Sequence, residues 1–317
     1  MRLLVTGGAG YIGGVTASLL LDRGHEVVIV DDLSTGYAEG VPPGAAFRPV
    51  DLLDADALAA VFDGKFDGVF HFAAKAQVAE SVSHPARYFR TNVVGTLNLL
   101  DAMRANGVTP IVFSSTAATY GEPESVPISE DAPTRPTSPY GASKLAVDSV
   151  LRAYAPAYRL AAVSLRYFNV AGAYGSARER HDPETHLIPN LLRAARGDGG
   201  SFTLHGSDYP TPDGTCIRDY VHVEDLAEAH LLALSGAVPG EHRIYNLGSG
   251  SGFSVREVLA EVERVTGRTV PIVEGPRRDG DPARLVASSD KIRSELGWTP
   301  KKASLGDMVR DAWAVLA

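Results

Sequence analysis

A single cysteine, Cys216, in 317 residues leaves no partner for an intrachain disulfide. The fold cannot rest on a disulfide framework, and a reducing compartment is the expected setting. No cysteine cluster offers a zinc site, and the spacing of His71, His222 and His230 fits no familiar zinc pattern, so no metal is expected. No apolar run is long enough to span a bilayer, and no signal-peptide pattern precedes the first apolar run. Positive charge is short as well: 30 Lys and Arg face 38 Asp and Glu, for a net charge of −8. Bulk attraction to nucleic acid or anionic membrane is therefore excluded. The chain reads as a cytoplasmic protein whose anionic ligands, if any, must be met by local arginines. Repeats and low-complexity segments are missing too. The 44% hydrophobic content is that of an ordinary globular protein with a sizeable core.

What is present starts at residue 3. Leu-Leu-Val-Thr-Gly-Gly-Ala-Gly-Tyr-Ile-Gly runs from an apolar strand straight into glycines. Gly8, Gly10 and Gly13 fit G-x-G-x-x-G, and Gly7, Gly10 and Gly13 fit G-x-x-G-x-x-G. Such glycines allow a tight turn and close backbone approach to a pyrophosphate, which the following helix N-terminus favours electrostatically. Val15 to Leu21 gives the helical face, Gly24 a C-terminal cap, and Glu26 to Val30 a second strand. Asp31 then stands about 20 positions after the glycines, where a carboxylate binds an adenosine ribose. A 2′-phosphate would meet that charge, so NAD is favoured over NADP.

Apolar β-like runs recur at 2–6, 26–31, 68–72, 110–114, 161–166 and 243–247, with helical patterns between them. This alternation predicts an α/β fold with a doubly wound parallel (Rossmann) sheet. Residues 1–170 form the expected NAD-binding domain, with 215–248 returning to it. Residues 171–214 and 249–317 form the expected smaller C-terminal α/β substrate domain. Within it, 171–186 and 197–217 look like long functional loops. Ser254 to Glu257 reads as a capping box. Leu296 to Leu316 reads as a terminal helical region with Trp298 and Trp313 in the core.

Two further patterns carry chemistry. Tyr140 and Lys144 are four apart on one helix face, opened by Ser138-Pro139. A nearby cation favours the phenolate, so Tyr140 is the candidate general base. Ile111 to Thr116 is a strand ending in hydroxyl residues, and ligands of open α/β sheets sit beyond such strand ends. Thr116 is thus placed to hydrogen-bond a substrate hydroxyl beside Tyr140.

Together these residues resemble the extended short-chain dehydrogenase/reductase family along nearly the whole chain. The segments are most similar to its branch that inverts C4 of UDP-hexoses. They include GGAGYIGG (7–14), FSSTAATYG (113–121), SPYGASK (138–144), LRYFNVAGA (165–173) and, most specific, GSDYPTPDGTCIRDYVHVEDLA (206–227). The resemblance implies an NAD-dependent epimerase interconverting UDP-glucose and UDP-galactose, usually a homodimer joined through helices near 86–106 and 139–155. It implies cofactor contacts from Gly7, Gly10, Tyr11, Ile12, Gly13, Asp31, Asp32, Ser34, Asp51, Leu52, Phe72, Ala73, Ala74, Asn92, Ser114, Tyr140, Lys144, Tyr167 and Phe168. Catalysis would fall to Tyr140, Lys144 and Thr116. The UDP-sugar would meet Thr116, Tyr140, Phe168, Asn169, His186, Leu187, Thr203, His205, Arg218, Tyr220, Arg278, Asp281 and Leu285. The two arginines suit a diphosphate clamp.

Some positions depart from the family pattern. Val170 replaces a frequent proline, and His186 a frequent asparagine. Lys75 stands one place before a cofactor-contacting lysine of some members, where this chain has Ala76. Leu285 is intermediate between the aromatic and small residues found beside the sugar pocket, so N-acetylhexosamines remain alternative substrates, as do uronates, whose epimerisation would use the same redox residues. A 4,6-dehydratase would need an acid and a base where this chain has Ala117 and Ala118. A non-enzymatic NAD sensor would have no use for Thr116, Tyr140 and Lys144 together.

Overall fold

The computed structural model describes residues 1–198, 200–278 and 281–316. The first half alternates β1 (Arg2–Thr6), α1 (Tyr11–Asp22), β2 (Glu26–Val30), β3 (Ala46–Arg48), α2 (Ala55–Val61) and β4 (Gly68–His71). Then follow α3 (Val78–Ser83), α4 (Pro85–Phe89), α5 (Gly95–Ala105), β5 (Ile111–Thr116), α6 (Pro139–Tyr158) and β6 (Ala162–Tyr167). After these come β7 (Asn169–Ala171), β8 (Ala173–Tyr174), β9 (Ala177–Arg178), α7 (Leu187–Arg196), β10 (Phe202–His205), β11 (Ile217–Arg218) and β12 (Tyr220–His222). The chain ends with α8 (Val223–Ser235), β13 (His242–Leu247), β14 (Phe253–Ser254), α9 (Val255–Thr266), β15 (Ile272–Gly275), β16 (Arg284–Leu285), α10 (Asp290–Leu296) and α11 (Leu305–Ala314).

Seven strands make one parallel sheet in the order β13-β6-β5-β4-β1-β2-β3. Its strands read as unbroken apolar runs because both faces are covered. In β1, Leu3 and Val5 join the core cluster that includes side chains of α1 and α8, while Leu4 joins the opposite cluster with α2, α5 and α6. Strand order reverses between β1 and β4, which opens a crevice above their carboxyl ends.

The sequence reading holds for six of these strands to within a residue or two at each end. It misses β3, a three-residue edge strand too short to show alternation. The stretches 171–186 and 197–217 contain short strands: β8 pairs with β9, and β10 with β15. A third core cluster gathers Leu191, Val258, Val262, Met308 and Val309 from α7, α9 and α11. The capping box at Ser254 and Glu257 is present. The terminal region at 296–316 is helical only from Leu305 to Ala314: Gly297 takes a left-handed φ of 67° at the end of α10, and Pro300 follows before α11 begins. Trp298 is buried and donates to the Asp225 carbonyl at 2.9 Å. Trp313 is only half-buried, under the Arg268 guanidinium. Among the described residues, no helix is long and apolar enough to cross a membrane.

Candidate functional site

A cleft of about 2020 Å³ lies over the carboxyl ends of the sheet strands. Gly7, Gly10 and Gly13 line it and Gly8 does not, because Gly8 packs against the Ile29 side chain. Gly7 has a φ of 74°, and a Cβ there would stand 2.5 Å from the Ala73 nitrogen. A Cβ on Gly13 would meet the Gly7 carbonyl at 2.3 Å. The turn is therefore closed to any larger residue. Gly10 caps α1 without a side chain, and the first turn has no acidic residue. The N-terminal N–H groups are left for an anionic ligand, a placement worth about 0.3–1 kcal/mol per anion through the helix dipole alone.

Asp31 ends β2 with its carboxylate over this turn. It accepts from the Ala9 and Leu33 nitrogens at 3.0 and 2.9 Å. Burial raises its pKa, and those two hydrogen bonds oppose the rise. Asp32 accepts from Ser34 N, and Ser34 Oγ accepts from Lys75 Nζ at 2.7 Å. Asp51 and Leu52, and Phe72, Ala73 and Ala74 beyond β4, complete this end of the cleft.

At the middle, α6 brings Tyr140 and Lys144 against the end of β5. Ser138 caps that helix by accepting from Gly141 N, with Pro139 in its first turn. Gly141 is required here, since a Cβ would stand 2.5 Å from the Ala118 carbonyl. Thr116 and Tyr140 both line the cleft here, and the Thr116 side chain favours the Tyr140 phenolate. Lys144 Nζ donates to the Ser114 carbonyl at 2.8 Å and lies over the Phe113 ring. The Ser114 hydroxyl meets the Tyr167 phenol. Burial lowers the Lys144 pKa to about 7, with Asp148 opposing. Tyr140 departs from the sequence expectation: burial raises its pKa, and only the Thr116 side chain acts to lower it. The lysine cation, engaged with a carbonyl, does not by itself produce a phenolate.

The far end of the cleft carries Phe168, Asn169, Arg218, Arg278, Asp281 and Leu285. Arg218 pairs with Asp281 and donates to the Ile217 carbonyl. Its strand β11 pairs with β16, which places Leu285 directly opposite Arg218.

Residues 3–248 match the model of the NAD dependent epimerase/dehydratase family. The chain belongs to that family. It is 57% identical to a UDP-glucose 4-epimerase of Streptomyces lividans over 98% of this chain and 95% of that protein. It is 55% identical to a UDP-glucose 4-epimerase of Corynebacterium glutamicum over 99% of this chain and 95% of that protein. Its fold matches the UDP-glucose 4-epimerase of Bifidobacterium longum in complex with NAD⁺ and UDP, with a TM-score of 0.93 and 36% identity over 99% and 98% of the two chains.

Within this family fold, several residues named from sequence stand away from the cleft wall. Asn92 lies behind it, where a π-helical turn at Arg90–Val94 rotates its amide inward to bond the Lys75 main chain and Ser143. Leu187 and Tyr220 pack in or against the third core cluster. Thr203 and His205 sit on β10, whose partner β15 lies outside the main sheet. His186 lines the cleft as the N-cap of α7. Two residues outside the assigned set also stand out. Lys75 is buried in the wall and reaches Ser34, which its offset from the family pattern hid. Asp219 is fully buried and accepts from the nitrogens of Tyr220, Ser249, Gly250 and Ala287 and from the Ser249 hydroxyl. It ties the strand after Arg218 to the loops at 249 and 287, and its place in the RDYVH run was the available signal. His71 and His230 are buried with pKa values lowered to about 3 and 4, as neutral core histidines.

Proposed function

We propose that the chain is an NAD-dependent 4-epimerase that interconverts UDP-glucose and UDP-galactose. One observation carries the reading: the Thr116–Tyr140–Lys144 group stands in a single cleft between a glycine cradle and the Arg218–Asp281 pair. The cradle fits a dinucleotide because added Cβ atoms would fill it at Gly7 and Gly13. Asp31 favours NAD by opposing a 2′-phosphate. Bound NAD supplies reversible hydride exchange at the sugar C4.

The protein's own residues move the proton and hold the sugar. Tyr140 takes the 4-hydroxyl proton, with Thr116 in the hydrogen-bond path. As the carbonyl forms, Arg218 and Arg278 keep the diphosphate anchored, and the free 4-keto ring turns its opposite face to the cofactor. Tyr140 then returns the proton to the inverted alkoxide. Lys144 steadies this end by tying α6 to the Ser114 carbonyl. The cycle is redox-neutral, so NAD stays bound. Ala117 and Ala118 line the cleft beside Thr116 and offer no proton carrier for elimination, which argues against dehydration. The test is C4 inversion across a panel of UDP-sugars without added NAD, followed by NMR. Inversion of UDP-glucuronate but not UDP-glucose would overturn the substrate assignment. Tyr140→Phe abolishes turnover and leaves NAD bound.

The same reading includes a homodimer. Phe89 and Val94 are exposed apolar residues on α4 and the π turn, within the 86–106 stretch that, with the helix over 139–155, a partner copy would cover. Light scattering at twice the chain mass is the expected result. A cytoplasmic setting suits the lone buried Cys216.

A further inference from the structure

We propose that Glu179, His181, Glu184 and His186 form a binding site for one divalent transition-metal ion of the zinc type. One ligand atom from each residue can be chosen so that all four lie within 4.8 Å of one another. His181 Nδ1 stands 3.5 Å from Glu179 Oε1 and 3.7 Å from Glu184 Oε2. His186 Nδ1 stands 3.0 Å from Glu179 Oε1. A tetrahedral zinc ion with bonds of about 2.0–2.1 Å separates its ligand atoms by about 3.3–3.4 Å, so this spacing closes on a cation with small side-chain adjustments.

Acidic residues alone would not make a site. The second observation is what the cluster leaves unpaired. The Glu184 side chain is 1% exposed, yet its Oε2 has no hydrogen-bond partner. His181 Nδ1, which faces it, is buried without a partner as well. Glu184 Oε1 is already engaged by His186 Nδ1 and by the nitrogens of Thr185 and His186. A purely ionic cluster therefore leaves two buried polar atoms orphaned, which is costly. A cation between them satisfies both. Two imidazole nitrogens and two carboxylate oxygens suit Zn²⁺ or Co²⁺, whereas Mg²⁺ and Ca²⁺ take oxygen ligands only. The histidines weighed from sequence, His71, His222 and His230, take no part.

The ion would join the end of the β8–β9 hairpin to the N-cap of α7, clipping a segment that lines one wall of the cleft. The site does not depend on which UDP-sugar the enzyme accepts.

The test uses the full, tag-free chain stripped with chelator and dialysed. Titration with CoCl₂ should give one ion per chain and the visible d–d bands of a four-coordinate nitrogen–oxygen site. Thiolate charge-transfer absorption should be missing, since Cys216 is outside the cluster. Added ZnCl₂ should displace cobalt and raise the melting temperature. His181→Ala and Glu184→Gln should each weaken binding by about 100-fold or more, with retained near-ultraviolet circular dichroism showing that the variants fold. If either variant unfolds, His181→Gln supplies the comparison. No cobalt spectrum in the wild-type chain, or the same spectrum and affinity in the folded variants, overturns the proposal.

Discussion

Lys144 donates to the main-chain carbonyl of Ser114 at 2.8 Å, so the helix that carries Tyr140 is pinned to the strand that ends in Thr116. The bond is made by a buried ammonium whose pKa is held near 7. A cation disfavoured in the fold destabilises it wherever the group is charged. For a lysine lowered from 10.5 to about 7, that penalty is complete below pH 7 and fades as pH rises towards 10.5. Its size is a few kcal/mol, at about 1.4 kcal/mol per pKa unit. Lys144→Met should therefore lower turnover by at least about 100-fold and yet raise stability at pH 6. The gain should shrink by pH 9. Urea unfolding at the two pH values checks this, and a variant less stable than wild type at pH 6 would refute it.

Thr116 supplies the one interaction that lowers the Tyr140 pKa against burial. Hydrogen-bond donation favours the phenolate, so its loss moves the tyrosine pKa up. The base works deprotonated. In Thr116→Val the acidic limb of the pH–rate profile should shift to higher pH, with kcat at pH 7 reduced by about 10-fold to 100-fold. Thr116→Ser keeps the hydroxyl and should restore the wild-type limb. A profile that falls in height without shifting would assign Thr116 to sugar contact alone.

How legible was this in the chain? Local signals were the reliable ones. Gly141, read only as part of a Tyr-x-x-x-Lys segment, turned out to be fixed by contact with Ala118, and Ser138 and Ser254 cap helices as their spacing predicted. Signals that depend on tertiary placement were not readable. Asn92 sits at helical spacing in sequence, but a π turn swings it behind the wall. Lys75 looked displaced by one residue, and the loop after β4 brings its amine to Ser34. Glu179 and His186 are seven residues apart, and only the folding of 171–186 brings them together. Gly8 and Gly7 were interchangeable as motif letters until Ile29 claimed Gly8.

His71 and His230 predict an acid limit to stability. Both are buried by the fold and neutral, with pKa values of about 3 and 4 against an ordinary 6.5. Below pH 6.5 the unfolded chain takes up protons that the native state refuses, so stability falls with pH. Between pH 6.5 and 5 each costs about 2 kcal/mol. His230 packs against Phe70, Phe72 and Tyr167, and its Nε2 has no partner. His230→Leu should unfold near the wild-type urea midpoint at pH 7 and lose less stability at pH 5. Equal losses in the two proteins would show that His230 is protonated in the native state.

Leu285 offers control over the sugar. It lines the cleft opposite Arg218, with which it shares the β11–β16 pairing. Its side chain is half-buried, so a change of volume there is felt by the ligand before the core. A pocket wall distinguishes substrates by about 10-fold to 200-fold per methylene-sized difference. Leu285→Ala should raise kcat/KM for UDP-N-acetylglucosamine relative to UDP-glucose by about 10-fold or more. Leu285→Tyr should lower the same ratio, because the ring occupies the space an N-acetyl group would need. Both ratios can be read from C4 inversion followed by NMR in one mixture of the two substrates. If the two variants move the ratio in the same direction, steric exclusion at this wall does not set the choice of sugar.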